Sequence, residues 1–293
     1  MKKNVPEISF CYDIEQSTQK FVDFFYDKPC FKQGILRDHP DLKEVSLISR
    51  EEGEPYIRGY ASQYLYENDN KIHNFISAVK QDFEINGIKA LVLLSDIMEH
   101  DFHDGFNSFT VIPNITGFTP FSIARKTIYL STSAFVNVQK AYEKKRLATT
   151  AIIVHEICHF IFRKQLSTLP ISKESDDIVH LVQEVLAPVT MNQPELKDIL
   201  SLRDYWGNSY LKPIIFHTKK GDINMVDFTS ALYSEMHTEG KSFVQFIVRL
   251  FEIFTSVHLE LCQRMNYWHN YGTEIFKDAV LSEKYSKPID LAN

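Results

Sequence analysis

Two histidines and a glutamate stand close together in "TTAIIVHEICHFIF", residues 149–162. On an α-helix, residues four apart lie on one face about one turn from each other, so His155 and His159 can direct both imidazoles at a single metal ion. Glu156 follows the first histidine and is rotated by roughly 100° about the helix axis. Its carboxylate can therefore reach a water molecule on the metal without binding the metal, which is the position of a general base.

The residues around this triplet leave no polar face on the predicted helix, which indicates that the helix is buried. The apolar neighbours are Ile152, Ile153, Val154, Ile157, Phe160 and Ile161. In the alternative interpretation, the β-branched run "TTAIIV" is a strand, which would set the two imidazoles too far apart for one ion. Helical periodicity continues on both sides of the run and favours the helix.

A third metal ligand has to come from another segment, because a catalytic zinc takes three protein ligands and leaves a fourth position for water. The segment "SKESDDIVHLVQEVLAP", residues 172–188, predicts a helix on which His180 and Glu184 share a face. Glu184 is the candidate third ligand, and its alternative is a solvated helical glutamate. His180 is either a competing ligand or a cleft residue that hydrogen-bonds to the ligands.

The elements that must position these side chains are mainly helices. Residues 1–105 predict a largely helical N-terminal region, and residues 106–293 predict the region that carries the site, with soft boundaries. Within the second region, residues 106–170 contain strand-forming stretches and the HEICH helix, and residues 171–293 form a helical lobe. The expected fold class is therefore α+β, mainly helical, with a small antiparallel or mixed sheet.

Composition excludes several classes of partner. The net charge of −6 and the lack of a long Lys/Arg run give no electrostatic reason to expect nucleic acid. No apolar run approaches the roughly 20 residues that a membrane span needs, and the N-terminus does not resemble a signal peptide. We therefore expect a cytoplasmic protein without a membrane partner, and signal-independent export and the oligomeric state stay open.

The HEICH motif followed by Glu184 resembles the HExxH…E zinc site of the gluzincin metallopeptidases, the thermolysin-like and aminopeptidase-like group. The resemblance implies a zincin-like fold, Zn²⁺ bound by His155, His159 and Glu184, and Glu156 as the base. It also implies that "KTIYLSTSAF", with residues 126–133 as its core, is the edge strand beside the HExxH helix that pairs with extended substrate.

Further downstream, "HTEGKSFVQFI", residues 237–247, is similar to the helix start at which the aminopeptidase-like branch carries an oxyanion-stabilising tyrosine. His237 stands in that place, and Tyr233, one turn earlier, is the alternative donor. The sequence departs from the family where Pro188 replaces an acidic residue four positions after the third ligand, and this proline should end or kink its helix. A GxMEN segment is also missing, which favours an endopeptidase over an exopeptidase.

These features together predict a zinc metallopeptidase that acts on peptide or protein substrates. A peptidase-like module that binds zinc without turnover is one alternative. A zinc hydrolase of non-peptide amides or esters is another, because the same polarised water attacks those substrates.

Overall fold

The computed structural model describes residues 5–27, 29–103, 105–132, 142–169, 176–205, 207–208 and 210–291. The chain divides into two units. One comprises Met1–Val92 with Asp101–Glu156, and the other comprises Leu93–His100 with Ile157–Asn293. The division falls inside one long helix, so this helix contributes to both units. The domain boundaries expected near residues 105 and 170 stay a prediction.

Helices make up most of the first hundred residues. They are α1 (Ile14–Asp27), α2 (Pro29–Asp38), α3 (Arg50–Glu67), α4 (Asp69–Asp82) and α5 (Ile88–Ile97), with a π-helical turn at Phe83–Gly87 between the last two. The buried face of α1 carries Phe21, Val22 and Phe25, which are spaced for one side of a helix, and α1 packs on α3. Ser49 caps α3 by accepting a hydrogen bond from the backbone N–H of Glu52.

The first unit also contains a mixed four-stranded sheet. Its strands are β1 (Glu7–Phe10), β2 (Ser108–Asn114), β3 (Phe121–Ser122) and β4 (Thr127–Ser131), in the order β1-β2-β4-β3. β1 and β4 pair with β2 in parallel, and β3 pairs with β4 antiparallel. Four consecutive residues of β4, Thr127 to Leu130, are buried, which is typical of a strand covered on both faces.

The prediction of an edge strand over residues 126–133 is wrong for the part that the structure describes, which ends at Thr132. β4 is an inner strand because the chain before it folds back: Phe121 pairs with Ile128, and the backbone N–H of Tyr129 donates to the carbonyl of Pro120 at 2.8 Å. The hydrogen-bonding groups on this side of β4 are therefore already used. A substrate cannot add to them as a further strand without displacing this segment.

The second unit is built around the helix Asp176–Met191, most of which is buried. In the described residues its α-helices are α6 (Tyr142–Leu166, shared with the first unit), α7 (Asp176–Met191), α8 (Pro194–Ile199), α9 (Met225–Thr238), α10 (Phe243–Ser256), α11 (His258–Tyr271) and α12 (Ala279–Ser286). α7 packs against α9, α10 and α11, and every residue from Leu181 to Met191 is buried. Because α7 is surrounded by these helices, the carboxylate of Glu184 on α7 is withdrawn from solvent.

A second small sheet lies in the same unit, with strands β5 (Ile215–Thr218), β6 (Gly221–Asn224) and β7 (Ile289–Asp290) in the order β6-β5-β7. The sequence indicated strands only within residues 106–170, and that expectation is wrong for these three strands and for β1. Strands of four and two residues are too short for apolar alternation to stand out between helices. The predicted fold class, mainly helical with small mixed sheets, is confirmed.

Of the two effects expected of Pro188, an end or a kink of its helix, the end does not occur in α7. The helix continues to Met191 with the proline inside it. A proline removes the hydrogen bond to the carbonyl four residues earlier, which here belongs to Glu184. Gly207 packs close to Pro188 and to this carbonyl: a Cβ added to Gly207 would lie 3.1 Å from Cδ of Pro188 and 3.6 Å from the Glu184 carbonyl oxygen.

Among the helices of the described residues, none combines the length and the apolar character that a membrane span requires.

Candidate metal centre

Helix α6 positions both histidines of the HEICH motif. His155 and His159 are one helical turn apart and are 7% and 1% exposed. Their helical neighbours Val154, Ile157 and Cys158 are buried as well. The helix predicted for residues 149–162 is therefore confirmed, and the strand interpretation of "TTAIIV" is wrong.

Helix α7 brings the third side chain to the pair. Oε1 of Glu184 lies 3.4 Å from Nε2 of His159. One ligand atom from each of His155, His159 and Glu184 falls within 4.8 Å of the other two, and all three residues are buried. Two ligand atoms that each lie about 2 Å from a tetrahedral ion are about 3.3 Å apart. The three residues thus form a buried His-His-Glu group that could hold a metal ion.

Burial changes the pKa values of two members of this group, in each case so that the neutral form is favoured. Burial raises the pKa of Glu184 to about 7, against smaller lowering effects from Asn208, Gln183 and Arg163. Burial also lowers the pKa of His155 to about 4, so its imidazole is neutral at physiological pH and has a lone pair available for a metal. A divalent cation would stabilise the carboxylate that burial disfavours.

Two side-chain amides donate hydrogen bonds to the Glu184 carboxylate. Nδ2 of Asn208 donates to Oε2 at 2.5 Å, and Nε2 of Gln183 makes a longer contact of 3.4 Å with Oε1. Arg163 of α6 donates in turn from Nε to the side-chain oxygen of Gln183 at 2.6 Å. Such hydrogen bonds orient a metal-binding carboxylate and restrict its rotation.

The segment that carries Asn208 is tied to the end of α7. The side-chain amide of Asn192 accepts from the backbone N–H of Tyr205 at 2.9 Å and donates to the Tyr205 carbonyl at 2.6 Å. Gly207 then packs on Pro188 with a φ of +62°, a conformation that favours glycine. The chain therefore turns back along α7, so that Asn208 reaches Glu184.

Further along this segment, Tyr210 contacts His180. The Tyr210 hydroxyl lies 2.9 Å from Nε2 of His180, and Nδ1 of His180 lies 3.9 Å from Oε1 of Glu184. Burial, followed by the negative charge of Glu184, raises the pKa of Tyr210 well above its usual value. His180 therefore lies beside the His-His-Glu group, in the neighbourhood that the helical spacing predicts.

Glu156, the candidate base, is 8% exposed and follows His155 on α6. The candidate oxyanion donors lie on α9. His237 is exposed in its last turn and stacks on Tyr233, with ring centroids 5.7 Å apart. Tyr233 is 7% exposed, and its pKa is raised by burial and by the charge of Glu99. The roles assigned to Glu156, His237 and Tyr233 stay predictions.

Sequence reasoning missed the residues that surround Glu184 from outside α7. Asn208 and Tyr210 belong to a segment with neither helical nor strand periodicity, and Arg163 reads as an ordinary basic residue in the last turn of α6. The only local signal is Gly207, a turn residue. It does not indicate which helix the turn packs against.

Comparison with known proteins adds no assignment: no family model, no curated protein and no solved structure matches this chain.

Proposed function

We propose that this protein is a zinc-dependent metallopeptidase of the gluzincin type, with a zincin-like catalytic region, that cleaves peptide bonds within a chain. The observation that supports this most strongly is the buried His155, His159 and Glu184 group, with Glu156 next to its first histidine. Two imidazoles and one carboxylate are a ligand set that catalytic zinc sites use, and the buried group suits a divalent cation.

In this proposal His155, His159 and Glu184 hold Zn²⁺. Zinc would supply Lewis-acid polarisation of the substrate carbonyl and would lower the pKa of water toward about 7. The remaining work falls to the side chains of the protein. Asn208 donates a hydrogen bond to Oε2 of Glu184, so Oε1, the oxygen that faces Nε2 of His159, is the one that would bind the ion.

Glu156 acts as the general base and then as the general acid. Its carboxylate takes a proton from the attacking water and passes this proton to the nitrogen of the leaving amine. Because the residue is almost completely buried, its carboxylate is shielded from bulk water. His237 and Tyr233 are the sequence-based candidates for stabilising the oxyanion, a contact that typically contributes about 3 kcal/mol to lowering the barrier.

A digestion experiment tests this function. The purified chain is incubated with a library of peptides in three states: with zinc, with a chelator, and with zinc restored. The proposal predicts internal cleavage that the chelator abolishes and zinc restores. Cleavage that persists in excess chelator contradicts it.

The same experiment separates the alternatives. A chain that binds zinc but cleaves neither peptides nor a panel of simple amides and esters is a binding module. A chain that cleaves only the amides or esters is a hydrolase of another class. A Glu156→Gln sample controls for contaminating peptidases, because it should bind zinc and remain inactive.

A further inference from the structure

The His180 side chain lies close to Glu184, the candidate third ligand, and is also accessible to solvent. It precedes Glu184 by one turn of α7, and its Nδ1 is 3.9 Å from Oε1, the same oxygen that lies 3.4 Å from Nε2 of His159. The side chain of His180 is 40% exposed, whereas that of Glu184 is 7% exposed. A molecule that approaches Glu184 from solvent can therefore contact the His180 ring.

Tyr210 holds the far side of this ring. Its hydroxyl is 2.9 Å from Nε2 of His180, and the two rings are stacked with an interplanar angle of 27°. Tyr210 is itself fixed, since it is 4% exposed, its carbonyl accepts from the Tyr285 hydroxyl at 2.8 Å, and Trp268 packs on its ring. The phenol is therefore a rigid partner for the histidine.

The direction of this hydrogen bond determines the tautomer of His180. A phenol is protonated at neutral pH, and when it donates to Nε2 the neutral imidazole carries its hydrogen on Nδ1. In that tautomer the N–H of Nδ1 lies on the side of the ring nearer to Oε1 of Glu184. The 3.9 Å separation from Oε1 is too long for a hydrogen bond with Glu184, so the contact between them is electrostatic.

We propose that His180, positioned by Tyr210, donates a hydrogen bond from Nδ1 to the carbonyl oxygen of the substrate as that oxygen becomes negative. This inference rests on the proposed hydrolytic function and assigns to His180 the role that sequence similarity assigned to His237 or Tyr233. His180 is the catalytic residue and Tyr210 is a positioning residue. No proton is transferred, because the hydrogen stays on Nδ1.

The test compares His180→Ala and Tyr210→Phe with two control variants, His217→Ala and Tyr271→Phe. His217 is an exposed histidine with its own hydrogen-bond partner, Asp222, and Tyr271 is an exposed tyrosine of α11. Three quantities are measured on the full-length, zinc-loaded chain: the zinc affinity by competition with a chelator, the tautomer of His180 by ¹⁵N NMR, and kcat/KM for a peptide that the wild type cleaves.

The proposal predicts that His180→Ala keeps its zinc affinity within about threefold and loses about 10²- to 10³-fold in kcat/KM. Wild-type His180 should carry its hydrogen on Nδ1. In Tyr210→Phe, the His180 ring should be a mixture of the two tautomers. This variant should also have a kcat about tenfold lower at unchanged KM. Both controls should match the wild type.

Three results would overturn the proposal: a hydrogen on Nε2 in the wild type, unchanged kcat/KM in His180→Ala, or a loss of zinc affinity above about a hundredfold in that variant, which would make His180 a ligand. A wild type that cleaves no peptide overturns the proposed function and with it the catalytic role of His180. The tautomer measurement still decides, in that case, whether Tyr210 positions the ring.

Discussion

Nε2 of His159 on α6 and Oε1 of Glu184 on α7 lie 3.4 Å apart, and both side chains are almost completely withdrawn from solvent. A buried carboxylate is disfavoured in its charged form, so this pair needs compensation. Amide hydrogen bonds supply part of it, and burial still raises the pKa of Glu184 to about 7. A divalent cation between the ligands would supply the rest.

Replacing Glu156 with Gln should separate metal binding from catalysis. The amide cannot accept a proton from water, so hydrolysis should fall at least about 10²-fold, the lower end of what general-base catalysis contributes. The zinc content should stay the same, because Glu156 is not a ligand in this account. Measuring kcat/KM together with elemental analysis checks both statements. Undiminished cleavage would refute the assignment of the base.

Removing the Asn208 side chain should weaken the metal site without touching a ligand. Asn208→Ala leaves Oε2 of Glu184 without its 2.5 Å hydrogen bond, and we expect the zinc affinity to fall about 10- to 100-fold. Asn266→Ala, which truncates an exposed asparagine of α11, is the matched control and should bind zinc like the wild type. Equal affinities in the two variants would show that Asn208 does not orient the carboxylate.

Gly207 should matter for the metal although it does not contact it. Gly207→Ala places a methyl group 3.1 Å from Cδ of Pro188 and forces a side chain into a left-handed conformation, at a cost of about 1–2 kcal/mol of stability. The shifted backbone should move Asn208 and weaken zinc binding. Gly240→Ala has a similar φ of +72° but meets no atom within 4 Å. It should lose comparable stability in chemical denaturation and keep its zinc affinity; a parallel loss of affinity in both would contradict the account.

Metal binding should weaken as the pH falls below neutrality. Burial raises the pKa of Glu184 to about 7 and lowers that of His155 to about 4. Between these values, Glu184 in the metal-free site holds a proton and His155 does not, so a bound metal must displace the Glu184 proton. The measured dissociation constant should therefore rise about tenfold per pH unit below 7 and level off above it.

Competition titrations at pH 6, 7 and 8 measure this slope. Calorimetry in two buffers of different ionisation enthalpy should also give about one proton released at pH 6 and close to none at pH 8. Glu184→Gln has no titrating carboxyl and should bind more weakly with most of the slope removed. A wild-type affinity that does not change between pH 6 and 8 would contradict the raised pKa.

The two histidines and Glu184 could be predicted because helical periodicity is a local property. An i,i+4 pair on an apolar helix directs its side chains to one point whatever surrounds it, and a second helix with a buried carboxylate is a natural source of the third ligand. The inner position of β4 in its sheet could not be predicted, because the strand that pairs with its outer side, Phe121–Ser122, has only two residues and shows no periodicity.

The environment of Glu184 could not be predicted for a different reason. Pro188 is expected to end or kink its helix, yet α7 continues past it and Gly207 packs against it, which places Asn208 and Tyr210 beside the site. These contacts depend on tertiary packing that overrides local preference. They are therefore visible only once the fold is known.

The most direct test of the central claim is the zinc stoichiometry and affinity of the wild type and of His155→Ala, His159→Ala and Glu184→Ala, with His217→Ala as control. The account predicts one zinc per chain in the wild type and in the control, and an affinity lowered by at least about a hundredfold in each of the three ligand variants. A wild type that binds no zinc, or a Glu184→Ala variant that binds it as tightly as the wild type, would contradict it.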